Sequence, residues 1–180
     1  DYVFKGDRPE GYKEDDAPNP ISEYGKSKWE GEKNMQSVGG KYYIIRPSRI
    51  FGRAGASVSS KKSFVDIMLG KIDEKEIKVV NEEKGSPTYA FDLARFTRTL
   101  IESNKPYGIY HGANSGACNW HEWAQEIFAQ KGRGPKIIPV KSSEFPHPAL
   151  RPMFSELINT KMPKQRSWQE ALKEYLQKIQ

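Results

Sequence analysis

Short apolar runs alternate along the chain with longer segments in which apolar residues recur at helical spacing. Apolar runs rich in β-branched and aromatic residues predict strands at 41–45, 77–80, 108–111 and 137–140. Helical spacing and capping signals predict helices at 22–38, 64–69, 90–103, 119–130 and 167–179. Because strands alternate with helices, the pattern indicates an α/β fold with parallel strand pairing.

Two regions do not follow this alternation. Residues 1–4 (DYVF) are typical of the end of a buried strand, and Gly6 to Pro9 form a predicted turn after it. A start within a core strand leads us to expect a truncated or incompletely recorded chain. Residues 53–62 are small and polar, which predicts a mobile loop.

Composition and charge argue against several classes of protein. The aromatic content of 12% argues against a disordered chain. The net charge of +6 suits an anionic ligand, but the basic residues are spread along the chain, which disfavours nucleic-acid binding. No apolar run approaches the ~20 residues that cross a bilayer, so no integral membrane role is expected.

The thiol and imidazole groups predict neither a disulfide nor a metal site. Cys118 is the single cysteine, so we expect a structural thiol and a reducing, cytoplasmic compartment. His111, His121 and His147 are scattered without the spacing of metal ligands. We therefore predict no metal ion in this chain.

Tyr24 and Lys28 are the candidate catalytic pair. Residues four apart lie on one face of a helix, so a phenol and an ammonium at this spacing can point into the same cleft. A free phenol titrates near ~10 and is a poor acid at neutral pH, whereas a nearby cation brings such a group towards the working range. The same spacing is common on exposed helices that have no function, so the context of the pair decides.

Ordered motifs through nearly the whole chain supply that context. The pair stands within YGKSKWEGE at 24–32, preceded by DYVFKG at 1–6. The others follow in order: RPSRIFG at 46–52, SPTYAFDLA at 86–94, YGIYH at 107–111, WHEWA at 120–124, RPMFSEL at 151–157 and WQEAL at 168–172. Together they resemble the extended short-chain dehydrogenase/reductases, and among these the dTDP-4-dehydrorhamnose reductases in particular.

The resemblance implies the C-terminal part of a Rossmann-type parallel sheet fold with a smaller substrate-binding α/β domain. It assigns 1–52 and 87–112 to the remainder of the dinucleotide-binding domain, and 53–86 and 113–180 to the substrate-binding domain. The family's glycine-rich phosphate loop and its catalytic Ser or Thr precede the matching region, and this chain has no Gly-x-Gly-x-x-Gly segment. We therefore expect the isolated chain not to bind the dinucleotide tightly.

The resemblance also implies hydride transfer from NADPH (or NADH) to the C4 ketone of a dTDP-linked 6-deoxy-4-keto sugar, giving dTDP-L-rhamnose. Tyr24 then donates a proton to the developing alkoxide, and Lys28 assists Tyr24 and orients the nicotinamide ribose. The other implied cofactor contacts are Arg46, Pro47 and Ser48. The implied contacts with the dTDP-sugar are Tyr2, Arg49, Arg151 and Ser155. A homodimer is compatible with this family; no nucleic-acid or membrane partner is expected.

Arg49 departs from the resemblance, since the dTDP-4-dehydrorhamnose reductases commonly carry an aromatic residue there, against the sugar. A guanidinium could instead bind a diphosphate or a carboxylate, or face solvent. Another nucleotide-sugar reductase or epimerase therefore stays open, as does a non-catalytic regulatory subunit of the kind that partners methionine adenosyltransferase. Trp120 and Trp123 lie on one predicted helix face and are interpreted as core or domain-interface residues.

Overall fold

The structure is a computed structural model that describes residues 1–55, 61–146 and 148–179. Its helices are α1 (Glu23–Val38), α2 (Phe64–Leu69), α3 (Ala90–Glu102), α4 (Trp120–Lys131) and α5 (Trp168–Lys178). Its strands are β1 (Tyr43–Arg46), β2 (Ile50–Phe51), β3 (Glu76–Val80), β4 (Lys84–Gly85), β5 (Thr88–Tyr89), β6 (Gly108–His111), β7 (Cys118–Asn119), β8 (Lys136–Val140) and β9 (Phe154–Ser155). A 3₁₀ turn follows β8 at Ser142–Glu144.

Side-chain caps explain where the helices begin. The Ser22 hydroxyl accepts a hydrogen bond from the Gly25 amide at the start of α1. Reciprocal capping boxes open α4 and α5, formed by Asn119 with Glu122 and by Ser167 with Glu170. A further box, which the sequence analysis missed, opens α2 at Ser63 and Asp66. The predicted helices are confirmed to within one residue at each end.

Most strand pairs are parallel, as the alternation of elements predicts. β1 pairs with β6 so that Arg46 lies opposite His111, and β3 pairs with β8. β2 and β5 form a further parallel pair. β4 lies between β9, which is parallel to it, and β7, which is antiparallel. The sequence did not predict these two-residue strands, because a segment so short shows no period.

The largest apolar core lies between the β3–β8 pair and the helices α2, α4 and α5. Trp123, Ile127 and Leu172 are buried at its centre, so the interpretation of Trp123 as a core residue is confirmed. Cys118 is also buried there, and burial raises the pKa of its thiol to about 12, which fits a structural role. A smaller cluster packs α3 against the β1–β6 pair: Phe96, Leu100, Tyr110 and Met162.

Val3 and Phe4 are buried, but the opening residues do not form a strand. Residues 1–4 make a turn in which the Phe4 amide donates a hydrogen bond to the Asp1 carbonyl oxygen at 3.1 Å, so the predicted strand end is wrong. Val3 and Phe4 pack against Leu157 in a core cluster of their own. This burial accounts for the apolar pattern that suggested a strand.

Other predictions concern regions rather than elements. Of the predicted mobile loop at 53–62, residues 56–60 lie outside the described residues. Within the described ranges, no helix combines the length and the apolar character needed to cross a membrane. The boundaries of the two predicted domains stay predictions.

Candidate active site

The first turns of α1 carry the candidate catalytic pair. Tyr24 and Lys28 lie one helical turn apart, and the ammonium nitrogen of Lys28 is 5.3 Å from the centroid of the Tyr24 ring. Tyr24 is 57% exposed. Both residues line one cavity of about 430 Å³. The phenol and the ammonium therefore meet in one cleft, as their spacing predicts.

Tyr2, Pro47 and strand β1 form another wall of this cavity. The Tyr2 ring meets the Tyr24 ring edge to face, with the centroids 5.5 Å apart and the planes at 85°. Burial raises the pKa of the Tyr2 phenol, so this hydroxyl keeps its proton at neutral pH and remains a hydrogen-bond donor. Two phenols, those of Tyr2 and Tyr24, thus line the cavity.

Arg46 also lines the cavity, but its guanidinium already has partners within the protein. Its Nε and Nη2 atoms donate to Oε1 and Oε2 of Glu32 at 2.8 and 2.6 Å. Both residues of this ion pair are buried. Glu32 was missed in the sequence analysis, although its place eight residues after Tyr24 puts it on the same helix face. The predicted contact of Arg46 with the cofactor stays a prediction.

Asp1 joins two of the other predicted site residues. Its carboxylate accepts hydrogen bonds from the hydroxyls of Ser48 and Ser155, each at 2.8 Å. Both serines are buried. Because Ser48 follows β1 and Ser155 belongs to β9, Asp1 ties the loop after β1 to that strand. The predicted contact of Ser48 with the cofactor and the predicted contact of Ser155 with the substrate stay predictions.

Arg49 does not face solvent. Its backbone φ of 42° lies in the left-handed region, and its guanidinium lies 4.0 Å from the centroid of the Trp120 ring. Nη1 donates to the Cys118 carbonyl oxygen at 2.9 Å, and Nη2 donates to the Glu83 carbonyl oxygen at 2.8 Å. Burial lowers the pKa of Arg49 to about 10, so it stays charged at neutral pH. The solvent-facing alternative is therefore wrong.

The side chain of Glu83 is a buried carboxylate beside Arg49 that the sequence analysis missed. It accepts a hydrogen bond from the indole N–H of Trp120 at 2.9 Å, and its Oε2 lies 3.5 Å from a guanidinium nitrogen of Arg151. Although burial is the larger cause, the charges of Arg151 and Arg49 lower the pKa of the Tyr2 phenol and that of Glu83 raises it. Glu83, Arg49 and Arg151 thus form a charged cluster that acts on the Tyr2 phenol, and a polar ligand can be bound there.

The cavity fits the nicotinamide–ribose end of a dinucleotide. Ribose hydroxyls donate and accept hydrogen bonds, and the Tyr24 hydroxyl and the Lys28 ammonium offer both functions. Gly31 leaves room on that wall, since a β-carbon added there would meet no atom within 4 Å. Among the described residues, no group of three or more His, Cys, Asp or Glu side chains is arranged to hold a metal ion.

Gly25 and Gly31 allow a matched pair of substitutions on α1. A β-carbon at Gly25 would lie 2.2 Å from the Tyr2 carbonyl oxygen and 2.9 Å from the β-carbon of Pro20. We expect Gly25→Ala to destabilise the fold by about 1–3 kcal/mol through overpacking. Gly31→Ala is expected to stabilise α1 by up to ~1 kcal/mol, because alanine favours a helix. Denaturant unfolding measures both variants, and equal effects would contradict the close approach of α1 to Tyr2.

The whole chain, residues 1–180, matches the sequence profile of the RmlD substrate binding domain. The chain belongs to this family. The resemblance to the dTDP-4-dehydrorhamnose reductases, which rested on the ordered motifs, is confirmed by this match and by the similar proteins below.

Two curated relatives illustrate the similarity. The spore coat polysaccharide biosynthesis protein SpsK of Bacillus subtilis strain 168 is 38% identical over 182 residues, which cover 98% of this chain and 62% of the relative. A Streptomyces antibioticus protein, named as a probable dTDP-4,6-dihydroxy-2-methyloxan-3-one 4-ketoreductase, is 33% identical over 187 residues, covering 97% of this chain and 59% of the relative. The chain thus spans about three fifths of the length of these relatives.

A solved structure confirms the α/β fold class. The dTDP-4-dehydrorhamnose reductase of Bacillus anthracis, in complex with NADP, superimposes with a TM-score of 0.90 at 37% sequence identity. The match covers 98% of this chain and 63% of that structure. The family and its fold are therefore established for this chain.

Proposed function

We propose that the protein containing this chain reduces dTDP-4-dehydro-L-rhamnose to dTDP-L-rhamnose with NADPH. The observation that carries the proposal is the shared cavity of Tyr24 and Lys28, with Tyr2 and Pro47 opposite. The similarity to a dTDP-4-dehydrorhamnose reductase in complex with NADP supports both the substrate and the cofactor.

The chain's own residues divide the work of this reaction. When bound, NADPH supplies the hydride. Tyr24 donates a proton to the oxygen of the ketone as negative charge develops there, and Lys28 orients the ribose and stabilises the charge on the phenol oxygen. Tyr2 adds a further hydroxyl at the sugar end. Pro47, with the backbone of its neighbours Arg46 and Ser48, borders the nicotinamide.

The charged cluster beside Tyr2 belongs to substrate binding in this proposal. The Arg151 side chain is one-third exposed, and among the described residues its one ion pair is with Glu83 at 3.5 Å, which leaves further guanidinium donors to bind a diphosphate. The Arg49 donors are largely engaged by backbone carbonyls, and Arg49 therefore contributes charge and holds Trp120. Ser155 donates a hydrogen bond to the carboxylate of Asp1, which lines the cavity, and so stabilises the part of the site next to Tyr2 in the chain.

The arrangement of the whole protein is part of the proposal. Residues 1–52 and 87–112 belong to the dinucleotide-binding domain, and 53–86 and 113–180 form the substrate-binding domain. A cytoplasmic location and a homodimer are consistent with a biosynthetic reductase that uses NADPH.

An assay of the full-length protein tests the reaction. We expect NADPH oxidation that depends on dTDP-4-dehydro-L-rhamnose, with dTDP-L-rhamnose identified by NMR, and slower oxidation of NADH. A protein that oxidises no NADPH with this ketone, but is retained on immobilised methionine adenosyltransferase, would instead support the regulatory subunit.

A second candidate is the reduction of a different dTDP-linked 4-keto sugar. The favouring observation is the guanidinium of Arg49, which lies against Trp120 and adds positive charge that acts on the Tyr2 phenol. The Streptomyces antibioticus 4-ketoreductase among the relatives is named for another 4-keto sugar. The ratio of kcat/KM values for a panel of dTDP-4-keto sugars distinguishes the two candidates.

A further inference from the structure

Helix α1 carries Tyr24 and Lys28 but buries little of its own surface. Of its 16 residues, Gly25 and Glu32 are the buried ones. Trp29 is partly buried against the core cluster of Val3, Phe4 and Leu157. Within the described residues, the contacts that hold this helix are therefore few, and each can be named.

Glu32 is the buried polar anchor of α1. It follows Lys28 by four residues and Tyr24 by eight, so the three side chains share one face of the helix. Two charge-assisted hydrogen bonds, of 2.8 and 2.6 Å, join its carboxylate to the guanidinium of Arg46 on β1. Such a bidentate pair fixes both the distance and the orientation of its partners.

Arg46 is itself held from several sides. Its Nη1 donates to the Glu14 carbonyl oxygen at 3.4 Å, and its guanidinium lies 5.1 Å from the centroid of the Phe4 ring. The carboxylate of Glu14 in turn accepts a hydrogen bond from the Thr160 hydroxyl at 2.7 Å. The Arg46 guanidinium, which binds Glu32 of α1, is therefore held in one orientation beside the β1–β6 pair.

The ion pair between Glu32 and Arg46 also affects which partners the Lys28 ammonium can have. A glutamate four residues away is the usual ion-pair partner of a helical lysine, so Glu32 could capture the Lys28 ammonium. Arg46 occupies both oxygens of Glu32. The other two lysines of α1 pair with glutamates three residues before them, whereas no ion pair of the described residues involves Lys28. Its ammonium is thus left beside Tyr24 and the cavity.

We propose that Glu32 and Arg46 are positioning residues for the reduction. Their ion pair fixes α1 against β1 and keeps the Lys28 ammonium available to Tyr24 and to the cofactor. This inference rests on the proposed function. In this inference Arg46 positions the catalytic pair by holding Glu32, in addition to any contact that Arg46 makes with the cofactor.

Steady-state kinetics of Glu32→Gln in the full-length protein test this role. Glutamine keeps the shape of the side chain but lacks the charge that holds Arg46. We expect kcat to fall by about 10–100-fold through misplacement of the catalytic pair, with KM for the sugar within about threefold of the wild-type value. KM for NADPH is expected to rise by no more than about tenfold, because the Lys28 ammonium is misplaced rather than lost. In a Tyr24→Phe background, the same substitution is expected to change kcat by less than about threefold, because the phenol to be positioned is gone.

Asp92→Asn is the matched control. Asp92 of α3 forms a bidentate ion pair with Arg166 at 2.8 Å in both bonds, is also buried, and lies outside the Tyr24 cavity. This variant is expected to lower the Tm at least as much as Glu32→Gln, while kcat of the folded protein changes by less than about threefold.

Either of two results would overturn the positioning role: wild-type kcat in Glu32→Gln, or effects of Glu32→Gln and Tyr24→Phe that simply multiply. If Glu32→Gln does not fold, Arg46→Lys carries the same test, because it keeps the charge but cannot form the two-pronged bond. An inactive wild-type protein would contradict the proposed function itself, whereas an active wild type with an equally active Glu32→Gln contradicts the positioning role alone.

Discussion

Replacing Tyr24 with phenylalanine is expected to lower kcat of the full-length protein by about 10²–10⁴-fold, the usual contribution of a general acid. The ring and its edge-to-face contact with Tyr2 remain, and only the hydroxyl is lost. Because Tyr24 is largely exposed, its substitution leaves the core intact, and we expect an unchanged Tm. KM for the sugar and for NADPH is expected to stay within about threefold, since the missing proton matters mainly in the transition state.

Tyr107→Phe is the control for this experiment. Tyr107 is 49% exposed, so it loses a hydroxyl in a similar environment, but it lies against Tyr43, away from the Tyr24 cavity. Its kcat is expected to match that of the wild type. If Tyr24→Phe retained most of the wild-type kcat, the proton would have to come from another group, and Tyr2 would be the first to test.

The sequence predicted the longer elements because each has its own local signal. The capping boxes at Asn119 and Ser167 fix the starts of α4 and α5 without help from distant residues. The turn at residues 1–4 was misread, because Val3 and Phe4 are apolar for a tertiary reason: they pack against a segment more than 150 residues away. Periodicity cannot distinguish such a buried turn from a short strand.

Local patterns alone predict the site only where its residues are close in sequence, whereas the family resemblance also named Tyr2, Arg46 and Pro47, which line the same cavity. Tyr24 and Lys28 are one helical turn apart, and their convergence follows from helix geometry. Glu83, in contrast, stands in the polar run 81–84, which has the composition of an exposed turn. Its burial beneath Trp120 depends on how β4 and α4 pack, and no local pattern encodes that contact. The fixed orientation of Arg49 depends on the same packing.

Replacing Lys28 with methionine is expected to lower kcat by about 10–150-fold, the range for loss of a hydrogen bond from a charged group. Methionine has a similar length and keeps the apolar part of the side chain, so the fold is expected to be unaffected. Two effects combine in this prediction, because in the proposed function the ammonium both stabilises charge at the Tyr24 oxygen and orients the ribose. We therefore also expect KM for NADPH to rise by about tenfold, which distinguishes Lys28 from Tyr24.

Lys26→Met separates this effect from a general loss of charge on α1. Lys26 lies two residues before Lys28, is exposed and pairs with Glu23 at 2.7 Å, away from the cavity. Exposed ion pairs of this kind contribute little to stability, so its kinetic constants are expected to match the wild type. Equal losses in both variants would mean that the ammonium acts only through the overall field of the helix. If kcat falls only in Lys28→Met, and NADPH binding weakens as well, the Lys28 ammonium acts on both Tyr24 and the cofactor. Its position, 5.3 Å from the centroid of the Tyr24 ring and in the same cavity, allows both contacts.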